Sequence, residues 1–304
     1  MGLRSGREQV KSQGLRGVLG MKTAFIGLGV MGYPMAGHLK AAGHEVSVFN
    51  RSPDKANRWA AEHGGAAFET VEDAVEGCEL VVLCVGNDDD VRGVMARALP
   101  GLQKGSVIVD HTTTSATVAR DMAELARQSG CFFIDAPVSG GQAGAVNGQL
   151  TIMAGGDADA YARIEPVIAA YAKACRRMGE VGSGQLTKMC NQIAIAGLVQ
   201  GVAEALHFAK RAGLPTDDVL AAISKGAAQS WQMENRWATM AEGRFDFGFA
   251  VDWMRKDLGI ALAEAHRNGA KLEGTAMIDQ FYAEIQAMGG NRWDTSSLVA
   301  RLEP

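Results

Sequence analysis

The stretch TAFIGLGVMGYPMAGHLKAAG, from Thr23 to Gly43, constrains the fold more than any other part of the chain. A short apolar run is followed by Gly27, Gly29 and Gly32 and then by a helix-forming run, the order strand, tight turn, helix. The same alternation continues through EVSVFN and SPDKANRWAAEHG, ELVVLCV and DDDVRGVMARAL, SVIVD and SATVARDMAELARQSG, CFFIDAP, QLTIMAG and DADAYARIEPVIAAYAKA. Continuous apolar strands separated by helices predict a parallel sheet covered on both faces, because right-handed crossovers bury both sides.

After Val181 the strand signals stop. Residues 182–304 read as helices rich in Ala, Leu, Met and Glu, broken at AGLPT, AEGRFDFG and MGGNRW. The expected architecture is α/β: a doubly wound domain over 21–181, then an all-helical domain over 182–304 that begins with a long interdomain helix. A cleft between the two is the expected place for a ligand. Residues 1–20 lack the apolar core of a secretory signal and are expected to be a disordered extension or a mis-assigned start.

Composition narrows the function classes. A net charge of -4 supplies no basic surface for nucleic acid or an anionic membrane. No run of about 18 apolar residues is free of polar interruption, so no membrane span is expected. Cys78, Cys84, Cys131, Cys175 and Cys190 are odd in number and lack CxxC spacing. They read as reduced core thiols of a cytoplasmic protein. The scattered histidines suggest no metal.

Gly27, Leu28, Gly29, Val30, Met31 and Gly32 fill the GxGxxG template at a strand end and a helix start. The first glycine permits the turn, the second lets a pyrophosphate approach the backbone, and the third lets helix and strand pack closely. This first βα unit is therefore a Rossmann-type dinucleotide site, with the helix N-terminus toward the phosphates. The second strand ends in Asn50 and Arg51, where an NAD enzyme usually offers Asp or Glu to the ribose hydroxyls. Arg51 suits a 2′-phosphate, so NADP is preferred with NAD still open; the plainer reading is a solvated loop arginine. Asp88, Asp89 and Asp90 follow the strand ELVVLCV and do not converge on one point, as a metal would need; they read as a solvated helix N-terminus. Ser139, Gly140 and Gly141 follow a strand end and Pro137. They form either an anion nest suited to a carboxylate or a plain crossover loop.

In GQLTKMCNQ, Lys188, Asn191 and Gln192 stand at i, i+3 and i+4, on one face of the long helix. By periodicity alone, Lys188 reads as a lysine whose stem packs and whose ammonium reaches water.

The segments GLGVMGYPMAGHLKAAGHEV, FNRSPDK, DHTTTSA, DAPVSGGQAGAVNGQLTIMAGG, GSGQLTKMCNQ and MRKDLGIALAEA resemble, in that order, the successive motifs of the β-hydroxyacid dehydrogenases. The resemblance runs from Met21 to about Ala300. It implies an NAD(P)-dependent oxidoreductase, assembled as a homodimer or homotetramer, that interconverts a short 3-hydroxy acid and its semialdehyde or reduces a small aldehyde acid. Lys188 matches the family's catalytic lysine. Ser139, Gly140 and Gly141 match its substrate loop, and Asn191 with Gln192 the polar pair after the lysine. Thr113 matches the threonine near the nicotinamide, and Lys256 the lysine that closes over the cofactor. Val85, the last residue of ELVVLCV, and Gly86 and Asp90 beyond it are expected as further cofactor contacts. The chain departs from the family at Cys84-Val85-Gly86, where Met-Leu-Pro is usual, and at Ala116, where proline is usual.

On this reading the Lys188 ammonium protonates the developing alkoxide during reduction, and the neutral amine takes the proton during oxidation. A lysine with the ordinary pKa of about 10.4 is a poor base at neutral pH. Desolvation lowers that value and a bound carboxylate raises it. Asn191 and Gln192 are expected to hold substrate or lysine. Trp231, Trp237 and Trp253 read as core or subunit contacts. Imine reductases share this architecture but often replace the lysine, and a non-catalytic NADP-binding protein is the rival from another class. 6-Phosphogluconate dehydrogenase has a much longer helical domain.

Overall fold

The computed structural model describes residues 20–303, so the expectation for the N-terminal extension lies outside the described residues. Two compact units divide after Lys188.

The first unit opens with strand β1 (Lys22–Ile26), helix α1 (Gly32–Ala41), β2 (Glu45–Phe49), α2 (Pro53–His63), β3 (Ala66–Phe68) and α3 (Val71–Val75). It continues with β4 (Leu80–Leu83), α4 (Asp88–Ala98), β5 (Val107–Asp110), α5 (Ala116–Gln128) and β6 (Phe132–Asp135). These six strands are parallel in the order β3-β2-β1-β4-β5-β6. Their side chains divide between the faces with the period of two that a pleat imposes. Phe25, Val82, Val109 and Ile134 join one apolar cluster, whereas Ala24, Ile26, Val81, Leu83, Ile108 and Phe133 join another.

The expectation of an all-parallel sheet fails at the far edge. Strand β7 (Val138–Ser139) leads through α6 (Gly141–Val146) to β8 (Leu150–Gly155), and β8 runs antiparallel to both β6 and β7. Residues 140–149 are fewer than the dozen or more that a parallel crossover needs, so the chain returns antiparallel. The helix expected over 157–174 is also shorter. Helix α7 (Ala158–Ile168) stops soon after Pro166, and strand β9 (Ala172–Gly179) pairs parallel with β8. Its sequence, AKACRRMG, is polar and half-exposed at a sheet edge, so it carries neither an apolar run nor a full alternation.

The long helix α8 (Ser183–Arg211) leads into the second unit, which adds α9 (Thr216–Ile223), α10 (Trp231–Ala241), α11 (Val251–Asn268) and α12 (Glu273–Ala287). Its core gathers Val199, Val202, Ala203 and Leu206 of α8 with Trp237, Met254, Leu258 and Tyr282. Helix α8 is long and apolar enough to cross a membrane by length and composition alone, yet Lys188, Gln192 and Gln200 along it are buried in protein, as in a core helix. Trp237 is fully buried and donates its indole N–H to the Thr216 carbonyl at 3.1 Å. Trp231 and Trp253 remain exposed.

Candidate active site

The glycine loop sits where β1 ends. Gly27 adopts φ +100°, and a Cβ there would lie 2.2 Å from the Cys84 carbonyl oxygen. At Gly32, the first residue of α1, a Cβ would lie 2.0 Å from the Gly27 oxygen, so helix and turn touch backbone to backbone. Gly29 differs: a Cβ there would meet nothing within 4 Å. The fold needs glycine at 27 and 32 for its own packing and leaves the exposed Gly29 backbone open, which fits a dinucleotide pyrophosphate laid on the loop.

Asn50, expected as a cofactor contact, braces this loop. Its Oδ1 accepts the Leu28 N–H at 3.0 Å and its Nδ2 donates to the Ser52 carbonyl at 3.2 Å. The side chain therefore couples the ends of β1 and β2, the segments that would carry the pyrophosphate and the ribose. Arg51 is 84% exposed and lies 3.3 Å from Asp90. Beside the loop a groove of about 590 Å³ runs past Tyr33 and His38 to Lys55 and Arg58.

The acidic run is not simply solvated. Asp90 accepts the Gly86 N–H at 3.1 Å, besides pairing with Arg51, and Asp88 accepts the Ser115 N–H at 3.0 Å and hydroxyl at 2.6 Å. Asn87 caps α4 through the Asp90 N–H, and Ser115 caps α5 through the Val118 N–H. Two of the three carboxylates thus tie loops together at the carboxyl edge of the sheet, because their places in the first turn of α4 face neighbouring backbone.

The 110–114 loop is pinned on both sides of the half-buried Thr113. Thr112 donates its N–H to Asp110 at 2.9 Å and accepts the Val85 N–H on its hydroxyl at 3.0 Å. Gln185, fully buried on α8, donates its Nε2 to the Thr112 carbonyl at 2.7 Å and accepts the Thr114 N–H at 3.0 Å. Behind the loop, His111 is bonded to the Ala136 carbonyl and the Tyr171 hydroxyl, at 2.6 and 2.8 Å. Burial pushes its pKa down to about 4, so the imidazole is neutral at physiological pH.

Asp135 closes the arrangement from the end of β6. Its carboxylate accepts the Gly182 N–H at 2.7 Å and the Gln185 N–H at 2.8 Å. Burial pushes its pKa up to about 7, against the pull of those backbone donors. Asp135, Gln185, Thr112 and His111 were not among the residues singled out by sequence. Their signal was a polar residue closing an apolar strand in FFID and VIVDHT, and a glutamine three positions before the lysine.

Lys188 lies one turn beyond Gln185 on the same helix, and the residue is only 7% exposed. A snorkelling lysine would keep its ammonium in water. Ser139, Gly140 and Gly141 stand at the end of β7, with Gly140 at φ +127° and Gly141 at φ +61°. Both glycines are exposed and Ser139 is partly so. Consecutive positive-φ glycines leave the backbone of this turn exposed, the setting an anion nest requires.

In the second unit, Asn191 Nδ2 donates to Gln192 Oε1 at 2.8 Å, and Gln192 Nε2 donates to Asp257 at 2.7 Å. Lys256 pairs with the other Asp257 oxygen at 3.1 Å. Gln192 of the expected polar pair and the expected closing lysine thus share one carboxylate that joins α8 to α11. Cys190 faces solvent on α8, unlike the core thiol expected of it, because its helical position turns away from Lys188 and Gln192. Among the described residues no group of His, Cys, Asp or Glu is arranged to hold a metal ion.

Residues 22–179 match the family profile described as the NAD binding domain of 6-phosphogluconate dehydrogenase. Residues 182–302 match the profile described as NAD-binding of NADP-dependent 3-hydroxyisobutyrate dehydrogenase. An uncharacterized oxidoreductase of Shewanella frigidimarina is 59% identical over 93% of this chain and 98% of its own. The 2-hydroxy-3-oxopropionate reductase of Escherichia coli is 34% identical over 93% of this chain and 97% of its own. The solved structure of Mycobacterium tuberculosis 3-hydroxyisobutyrate dehydrogenase with L-serine is 32% identical, with a TM-score of 0.87 over 93% of this chain and 100% of that one.

Proposed function

The chain belongs to the β-hydroxyacid dehydrogenase family of NAD(P)-binding oxidoreductases, and on that premise we propose that it is an NADP-preferring enzyme that interconverts a short 3-hydroxy acid and its semialdehyde, with Lys188 as the general acid and base. The observation that carries this reading is the burial of Lys188, 7% exposed one turn into a helix whose start is bonded to the 110–114 loop. A purely solvating lysine would not be enclosed there.

The Gly27–Gly32 loop and the start of α1 would hold the pyrophosphate, with Asn50 bracing the loop and Arg51 taking the 2′-phosphate. Thr113 would face the nicotinamide. When bound, the nicotinamide cofactor supplies or accepts the hydride. The substrate carboxylate would rest on the N–H groups of Gly140 and Gly141 with the Ser139 hydroxyl beside them, turning the carbonyl toward Lys188. During reduction, Lys188 Nζ donates a proton to the substrate oxygen as negative charge develops on it; in the other direction the neutral amine takes the hydroxyl proton. Asn191 and Gln192, one turn on, keep that face of α8 polar, and the bonds of Gln192 to Asn191 and Asp257 favour an orienting role for it.

The test is NADPH oxidation by the purified protein with glyoxylate, succinic semialdehyde, tartronate semialdehyde and methylmalonate semialdehyde, with NADH in parallel. One aldehyde acid is expected to turn over with NADPH preferred, and Lys188→Ala to lower kcat by about 10²–10⁴-fold, the usual range for a lost proton donor. A Lys188→Ala enzyme that turns over like wild type would remove Lys188 from the chemistry.

A further inference from the structure

We propose that Asp135 and Gln185 act as a clamp that sets the height and rotation of the first turn of α8, and through it the placement of the Lys188 amine. Both are positioning residues, and the clamp presupposes the proton-transfer role of Lys188.

A helix start leaves backbone N–H groups without partners, and these are ordinarily capped by the residue just before the helix. At α8 the acceptor comes from elsewhere in the fold. The Gly182 and Gln185 N–H groups reach the Asp135 carboxylate at 2.7 and 2.8 Å, from positions 47 and 50 residues further along the chain. One carboxylate, fixed at the end of a central strand, therefore grips both ends of the opening turn. Gln185 grips a second time with its side-chain amide, at 2.7 Å to the Thr112 carbonyl and 3.0 Å from the Thr114 nitrogen. Those two bonds bracket Thr113, so the helix start and the proposed nicotinamide-facing loop are held in one frame.

The backbones leave no play. A Cβ on Gly184 would lie 2.4 Å from the Met153 oxygen and 2.6 Å from the Asp135 oxygen, and one on Gly155 would lie 2.6 Å from Asp135 Oδ1. The helix cannot slide along the sheet while these contacts hold. Lys188 stands at i+3 from Gln185 on the same face, so a slip or rotation of this turn moves its amine directly. A misplacement of about 1 Å in a reacting group can cost about 10²-fold in rate.

The decisive measurement is a double-mutant cycle read in single turnovers, with enzyme in excess to resolve slow variants. Asp135→Asn replaces one acceptor oxygen with a donor that faces an N–H, and Gln185→Leu removes both side-chain bonds at similar volume. Each is expected to lower the single-turnover rate at least about 10-fold, with KM and the NADPH dissociation constant within about two-fold of wild type. In a Lys188→Ala background Asp135→Asn should cost almost nothing further, because residues that act through one group are non-additive, and Gln185→Leu should keep only the part of its loss that comes from unpinning the 110–114 loop. The clamp is overturned if either folded variant keeps the wild-type rate, or if its loss persists in full without the lysine, which would mark a general structural effect. Gln185→Leu keeps the test open should Asp135→Asn fail to fold. A Lys188→Ala enzyme as fast as wild type would instead sink the role of Lys188 and the clamp with it; a slow Lys188→Ala enzyme with fast clamp variants sinks only the clamp.

Discussion

Two glycines three residues apart in one loop are held by different causes, and substitution separates them. Gly32→Ala places a Cβ 2.0 Å from the Gly27 oxygen and 2.9 Å from the Phe25 ring. Overpacking of this kind costs about 1–3 kcal/mol, so the variant should unfold at lower urea concentration whether or not NADPH is present. Gly29→Ala meets nothing within the protein, so it should keep wild-type stability while binding NADPH at least about 10-fold more weakly, since only a bound pyrophosphate needs that space. Equal NADPH titrations of Gly29→Ala and wild type would show that the open position is not part of the cradle. Arg51 invites a similar separation. Its pairing with Asp90 is exposed, and such pairs contribute little, so the guanidinium can leave it for a phosphate at small cost. Arg51→Ala is expected to weaken NADPH binding about 10- to 100-fold, the worth of a charged hydrogen bond, and to leave NADH binding nearly unchanged. A parallel loss for both cofactors would return Arg51 to a general role in the loop. The glycine turn was legible because it stands in a local pattern, whereas periodicity alone reads Lys188 as a snorkelling lysine and only the resemblance of the surrounding motif singles it out. Asp135 and Gln185 were not legible, because their partners lie 47 to 73 residues away and no spacing rule reaches that far.

The elements of the sheet show where local reading stops. Strands β1, β2, β4, β5 and β6 were readable because burial on both faces demands an unbroken apolar run. The direction of β8 is a matter of connection length rather than composition, and the shortness of the 140–149 link contains the answer that the apolar run QLTIMAG conceals. Strand β9 escaped because an edge strand with exposed lysine and arginine satisfies only one side of the pattern. Helix starts were partly legible as acidic or hydroxyl residues, but not the use made of them. Ser115 both caps α5 through the Val118 N–H and donates its hydroxyl to Asp88 at 2.6 Å, joining α4 to α5. Ser115→Ala removes the cap and leaves the Asp88 carboxylate with the Ser115 N–H alone. The expected loss is about 1–2 kcal/mol of unfolding free energy in urea, whereas Asp89→Ala, whose carboxylate is outside these bonds, should change stability by less than about 0.5 kcal/mol. A Ser115→Ala midpoint equal to wild type would mean that water replaces the serine at no cost.

Across the whole molecule, two buried groups of the first unit titrate in opposite senses, and together they shape how stability follows pH. The His111 pKa falls from its ordinary 6.5 to about 4 through burial. Between those values the unfolded chain binds a proton that the folded one refuses, so stability rises with pH over that window and is lost as the pH falls through it. The Asp135 pKa rises from its ordinary 3.8 to about 7, again through burial. The folded chain here keeps a proton that the unfolded one has released, so stability is greatest near pH 4 and declines as the pH rises toward 7. Each slope is at most about 1.4 kcal/mol per pH unit. From pH 4 to 6.5 the two oppose one another, which predicts a profile flatter than either group alone would give. Removing one partner should uncover the other. In Asp135→Asn, stability relative to wild type should rise with pH from 4 to 7, as the opposing decline is deleted. In His111→Gln, which keeps an amide able to meet the Ala136 carbonyl, stability relative to wild type should fall with pH from 4 to 6.5 and then level off. Urea midpoints at half-unit steps from pH 4 to 8, taken as differences from wild type, cancel the surface carboxylates shared by all three proteins. Difference curves that are flat for both variants would mean that neither buried group titrates out of register with the unfolded chain, while curves of the same sign would break the opposition between them.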